Sequence, residues 1–251
     1  MTSILLPVSY APHLVALSFF VSALGAFAAL SAAGIAQTKN RQANVLNVIL
    51  AGVALGGVGI WSMHFIGMVA WKVDLFVGYR LTVTLVSLAA AVIVSSLALG
   101  YVASGPVTVR RLLVAGPLAG IGVAVMHYLG MYSMGFNGYF VWNWTTVLVS
   151  VLIAMAAATA ALWLAFNTRT RALRVAAALV MATAVCTMHY TGMSAASVIC
   201  TTSDRAALLP DLLWPTDLPV FVMIVAIGVT IVIGVDLVLQ QQKVDAKRDS
   251  V

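Results

Sequence analysis

A chain of 251 residues that is 63% hydrophobic and only 8% charged lies far from a water-soluble domain, in which about a quarter of residues carry charge. A mean hydropathy of +1.07, with apolar runs longer than the roughly 18 residues that mark a bilayer crossing, describes a polytopic membrane protein. Thirteen Lys and Arg stand against seven Asp and no Glu, a net charge of +6 that in a membrane protein reports loop topology and excludes nucleic-acid binding as the first explanation.

Apolar segments between charged or turn-rich breaks predict seven helices, at residues 10–34, 44–71, 81–104, 112–134, 144–167, 173–199 and 218–240. The first run has no basic stretch ahead of it and is too long for the core of a signal peptide, so it is a true span. Barrel strands would alternate apolar and polar residues, whereas these segments are apolar throughout and rich in Val and Ala. The expected fold class is therefore an all-α integral membrane protein with seven transmembrane helices.

Lys39 and Arg41, Arg110 and Arg111, Arg169, Arg171 and Arg174, and Lys243, Lys247 and Arg248 all fall on one side of that topology. The other side holds only Lys72, Arg80 and Arg205, together with Asp74, Asp204, Asp211 and Asp217. The positive-inside rule then places the N-terminus outside and the C-terminus in the cytoplasm, and a preference for anionic membrane lipid follows as a secondary consequence. Cys186 and Cys200 are too few for a disulfide framework, and on one predicted helix they stand about 21 Å apart, too far to pair.

A repeat carries the chemistry. The second helix contains GIWSMHFIGM, the fourth GVAVMHYLGM and the sixth AVCTMHYTGM, with His64, His127 and His189 spaced 63 and 62 residues apart. The shared core, Met-His-aromatic-x-Gly-Met, takes three of four histidines and six of eleven methionines. Each repeat is a two-helix unit, so the motif helices run the same way and the motifs share one depth, near the outer leaflet. Three direct repeats plus a seventh helix, related about the membrane normal, would let the histidines converge on a pseudo-threefold centre.

Within each motif His at i, Gly at i+3 and Met at i+4 share one helical stripe, which pairs His64 with Met68, His127 with Met131 and His189 with Met193. Gly67, Gly130 and Gly192 sit between them and admit another helix or a bound ligand. The leading Met63, Met126 and Met188 point about 100° away and are weaker ligand candidates. Cys186, one turn before His189, adds a thiolate candidate. Imidazole with thioether and no nearby carboxylate favours copper, Cu(I) above all, with haem second and a three-histidine zinc site third. No Cys-x-x-Cys-His haem attachment motif occurs. Methionine alone is a common core filler, but an intramembrane histidine is costly, and three equivalent ones point to function.

These motifs resemble the MHYT domain, an integral-membrane sensor module of bacterial signalling proteins, whose tetrapeptide stands intact as Met188, His189, Tyr190 and Thr191. The likeness extends over about residues 9–200, and Phe65, Ile66 and Leu129 depart from the pattern without touching the His or Met positions. The resemblance implies a sensor domain over 9–203, followed by an outer loop, a seventh helix and a short tail over 204–251. It implies a bacterial inner-membrane protein that binds copper near the outer face and senses oxygen, carbon monoxide, nitric oxide or redox state. The implied output is a GGDEF or EAL domain acting on cyclic di-GMP, in the same or another chain; a second copy of the chain is a further candidate partner. The chain ends about ten residues past the last predicted helix and shows no catalytic motif, fitting a stand-alone sensor or a segment ahead of an output domain.

The competing classes are an intramembrane zinc-dependent hydrolase, which would need a carboxylate base that the motifs lack, and a copper transporter, which would need donors beyond one depth. His13 is expected at the interface, as are Trp61, Trp71, Trp142, Trp144, Trp214, Tyr79, Tyr132 and Tyr139 in an aromatic belt. Asp236 is expected to reach the inner interface, and the connection over about 200–218, with Pro210 and Pro215, to be a plain loop across the outer mouth.

Overall fold

The computed structural model describes residues 4–36, 44–168, 170–201, 212–213 and 217–249. Seven helices follow in order: α1 (Pro12–Ala36), α2 (Val45–Ala70), α3 (Leu81–Ala103), α4 (Val109–Tyr132), α5 (Trp144–Asn167), α6 (Arg171–Ser194) and α7 (Asp217–Asp249). The first six are long and apolar enough to cross a membrane, while in α7 the apolar stretch Asp217–Ile231 is shorter. Helix starts follow from local chemistry. Asn44, Thr108, Asn143 and Thr170 each accept, through the side chain, the backbone N–H three residues on, which satisfies an otherwise orphaned donor and stabilises the terminus by about 1 kcal/mol.

The six spans close into a ring, each packed on the next and α6 back on α1, while α2, α4 and α6 also touch one another; α7 lies outside, against α1 and α2. Small residues make this closure possible. A methyl group on Gly25 would stand 2.2 Å from the Gly59 nitrogen, and one on Gly120 would stand 2.4 Å from the Met155 Cα, so α1–α2 and α4–α5 meet backbone to backbone. The bulky residues point the other way, with Phe20, Leu97, Leu118 and Ile224 exposed on the outer face where lipid would lie. On α7, Leu218, Val222 and Ala226 form the buried stripe, at the four-residue spacing of one helical face.

One span departs from α geometry. In α2 the segments Val45–Gly52 and Met63–Ala70 are α-helical, but Val53–Ser62 is a π-helix that ends immediately before the first motif. The wider turn is held by side chains: Ser62 Oγ donates to the Gly57 carbonyl at 2.9 Å, and Ser22 Oγ on α1 donates to the Gly59 carbonyl at 2.8 Å. The equivalent stretches of α4 and α6 remain α-helical, so the repeats are not identical.

Short strands cover the end of the ring where the motif helices finish. β1 (Ile4–Leu5), β2 (Ser9–Tyr10), β3 (Trp71–Lys72), β4 (Gly78–Arg80), β5 (Met134–Gly135), β6 (Gly138–Trp142), β7 (Ala196–Cys200) and β8 (Leu212–Leu213) form three antiparallel sheets, in the orders β1-β7-β6, β2-β3 and β5-β4-β8. The helical fold class stands; of the connection over 200–218, expected to be a plain loop, the described residues include strand β8, paired with β4, and most of the rest lies outside the described residues. The motif helix α6 ends at Ser194, so Cys200 lies in a strand and not on a helix with Cys186; no disulfide joins the two.

Of the residues expected in an aromatic belt, Trp144, Tyr132 and Tyr139 are exposed, whereas Trp61, Trp71 and Tyr79 are buried inside the chain and cannot serve in one. Lys39, Arg41, Arg169, Asp204, Arg205, Pro210, Asp211, Trp214 and Pro215 lie outside the described residues, as does the side chain of Asp236.

Candidate metal centre

Each motif helix carries its histidine one to two turns from its C-terminal end, and the three rings meet inside the helix ring. His64, His127 and His189 are at most 1% exposed. Their ring centroids form a near-equilateral triangle with sides of 4.7, 5.0 and 5.2 Å, and their planes cross at 67–84°, like propeller blades. The Nδ1 atoms face inward: that of His64 lies 3.0 Å from His189 Nδ1 and 3.1 Å from His127 Nδ1.

The Nε2 atoms face outward in a fixed rotational sense. His64 Nε2 lies against Gly130, His127 Nε2 against Gly192 and His189 Nε2 against Gly67, where an added methyl group would stand 2.1, 2.4 and 2.3 Å from the nitrogen. The glycine of each motif thus makes room for the histidine of a neighbouring repeat. None of the three Nε2 atoms has a hydrogen-bond partner among the described residues.

Proton counting shows what this arrangement accommodates. An sp² nitrogen holds either a proton or a lone pair in the ring plane, so His64 Nδ1 cannot be donor to one neighbour and acceptor from the other. Three protons directed inward would collide, and three lone pairs would repel. A single cation resolves the conflict by accepting all three lone pairs. At metal–nitrogen distances of about 2.0–2.1 Å, three imidazole nitrogens around one ion stand about 3.3–3.6 Å apart; here two of the spacings are 3.0 and 3.1 Å, and one ligand nitrogen from each histidine lies within 4.8 Å of the other two. The donor set therefore fits a metal ion, and among the described residues it is the one cluster of His, Cys, Asp or Glu able to hold one.

The motif methionines are buried as well. Met63, Met68, Met126, Met131, Met188 and Met193 are all at most 2% exposed, and all except Met63 belong to one apolar cluster together with Trp61 and Phe65. Cys186 is half-buried and hydrogen-bonded to Ser18, outside the histidine cluster. His13 is exposed at the start of α1 and also stands apart.

A second ring of polar contacts escaped the sequence reading. Tyr190 donates to Ser18 Oγ at 2.9 Å, Tyr128 to Ser150 Oγ at 2.7 Å, and, where Phe65 has no hydroxyl, the Trp61 indole N–H takes over and donates to Ser87 Oγ at 3.0 Å. Each serine passes its own proton to the carbonyl three residues back, Val15, Val147 and Thr84 respectively. Every motif helix is thereby tied to the next helix of the ring. The available signal was a serine near the N-terminal end of each of α1, α3 and α5, as in Leu17-Ser18, Val86-Ser87 and Val149-Ser150.

The model of a family described as a bacterial signalling protein N-terminal repeat, MHYT, matches residues 57–115 and 120–178, each match opening seven residues ahead of a triad histidine. The chain belongs to the MHYT family. It is 37% identical over 237 residues to the bifunctional diguanylate cyclase/cyclic di-GMP phosphodiesterase MucR of Pseudomonas aeruginosa, covering 90% of this chain and 34% of MucR. It is 33% identical to the cyclic di-GMP phosphodiesterase NbdA of the same organism, over 74% of this chain and 24% of NbdA. The signaling protein YkoW of Bacillus subtilis is 30% identical over 59% of this chain and 19% of its own length. The chain thus spans about a third or less of the relatives it matches. No solved structure is significantly similar to it.

With six apolar spans and this membership, the MHYT chain is a multi-pass inner-membrane protein with a sensor domain. His189, the only triad member in an intact MHYT tetrapeptide, lies beyond both matched repeats, and the structure nonetheless sets it equivalent to the other two.

Proposed function

We propose that this MHYT domain is a signal-receiving module whose triad holds one soft cation, copper, beneath the outer face of the membrane. The observation that carries the reading is the clustering of three buried histidines, with His127 and His189 Nδ1 each about 3 Å from His64 Nδ1 and one ligand nitrogen of each within 4.8 Å of the others. His64, His127 and His189 would be the ligands, and the thioethers of Met68, Met131 and Met193, with Met63, Met126 and Met188 behind them, would supply the soft surroundings that select copper over zinc. Cys186, tied to Ser18, is a more distant candidate donor. Gly67, Gly130 and Gly192 act by admitting the rings. A copper ion so held would offer an open coordination position to a diatomic gas and a change of redox state.

The chain's own residues hold the imidazoles in register through the Tyr190–Ser18, Tyr128–Ser150 and Trp61–Ser87 contacts, and exclude water by burial. In this reading the N-terminus is outside and the C-terminus in the cytoplasm, and α7, packed on α1 and α2, carries the change inward to a GGDEF or EAL output, as the names of MucR and NbdA suggest. A ligand shifts such a switch only through different affinities for its two states.

The test is elemental analysis of detergent-purified protein, with His64, His127 and His189 replaced by Ala. One metal per chain, absent from the triple variant, supports the reading; equal metal content in both overturns it. Haem would declare itself in the absorption spectrum. Zinc retained with copper excluded would favour the hydrolase class, although no carboxylate joins the cluster among the described residues. Copper flux in proteoliposomes would favour transport.

A further inference from the structure

Below the triad, lined by residues of α2, α3, α4, α5 and α6, lies a cavity of about 50 Å3. Its lining includes Ile60, Val123 and Val185. Each stands four residues before a triad histidine, which on the α-helical α4 and α6 is the same face one turn, about 5.4 Å, beneath it, while on α2 Ile60 lies at the end of the π-helical stretch. Met188, Ala154 and Met181 continue the wall. All three repeats therefore build both the triad and the chamber under it.

The lining chemistry decides what the chamber takes. One water needs about 10–15 Å3 and two to four polar partners. The space is large enough for several molecules, but Ser95 is the only lining residue with a polar side chain. Such cavities stay dry and admit small apolar guests. In an apolar helix bundle, whose outer face meets hydrocarbon where apolar gases dissolve better than in water, the guest is a molecule of two or three heavy atoms.

We infer that this chamber beneath the triad is a docking site for a diatomic gas, from which the guest meets the triad from within the bundle and not through the strands that cover it. The inference rests on the gas-sensing reading above and names where the ligand waits.

Dioxygen itself is the probe. The metal-free protein, labelled at the methionine methyl groups and placed in lipid nanodiscs, is compared by NMR under nitrogen and under oxygen, whose paramagnetism speeds relaxation of nearby methyls. Met181 and Met188 line the chamber, whereas Met131 and Met193 are equally shielded from lipid and do not. The expected result is a several-fold larger relaxation enhancement at Met181 and Met188 than at Met131 and Met193, abolished by Ala154→Leu. Equal or negligible enhancement at all four in the wild-type chain overturns the inference, and this contrast stands whether or not Ala154→Leu folds. The measurement needs no metal, so its failure is separable from a failure of the copper assignment.

Discussion

The outward nitrogen of His127 rests on Gly192 so closely that a methyl group there would stand 2.4 Å from it, and the same contact recurs between His64 and Gly130 and between His189 and Gly67. These three contacts interlock the repeats, because no motif's glycine serves its own histidine.

This sets the sign of a simple substitution. Gly→Ala within a helix ordinarily stabilises by about 1 kcal/mol, and Gly228→Ala on α7, with no atom within 4 Å of the new methyl, is expected to do so. Gly67→Ala, Gly130→Ala and Gly192→Ala are each expected to destabilise by about 1–3 kcal/mol through overpacking, and to displace a ring. Thermal unfolding in detergent checks the first effect and metal content the second. A gain in stability at Gly192 would show that the ring does not lie there.

The serine anchors supply a second test. Ser150→Ala leaves the Tyr128 hydroxyl without its acceptor, at an expected cost of about 1–2 kcal/mol, and adding Tyr128→Phe removes the stranded hydroxyl. The double variant should therefore be no less stable than Ser150→Ala alone. Additive losses from the two substitutions would mean that the hydroxyls do not meet.

The π-helical stretch predicts an asymmetry in dynamics. Amides of Val53–Ser62 make the less favourable i→i+5 bonds, whereas the matching residues 116–125 and 178–187 are α-helical. Hydrogen exchange followed by mass spectrometry should be faster in the first segment despite its deeper burial beneath α7. Equal protection in all three would contradict this geometry.

The helical architecture and the motif's common depth were legible because hydropathy and period survive in a single chain. The histidine stripe could be read from i, i+3 and i+4 spacing, but that logic looks along one helix. It set Gly67 beside His64, while the structure sets Gly67 against His189, a partner that only the ring order reveals. The π-helix left no trace because Val53–Ser62 is apolar on every side and has no period to shift. Strands of two to five residues are too short to alternate visibly, and Trp61 was assigned to the membrane interface because a tryptophan near a helix end looks the same whether it anchors in headgroups or donates to a buried serine.

X-ray absorption at the copper edge of the purified, copper-loaded protein measures the central claim directly. Three nitrogen neighbours at about 2.0 Å with imidazole outer-shell scattering, accompanied by sulfur that diminishes when Met68, Met131 and Met193 are replaced by Leu, is the predicted result. A copper shell without imidazole, or one unchanged after His64, His127 and His189 are replaced by Ala, would contradict it.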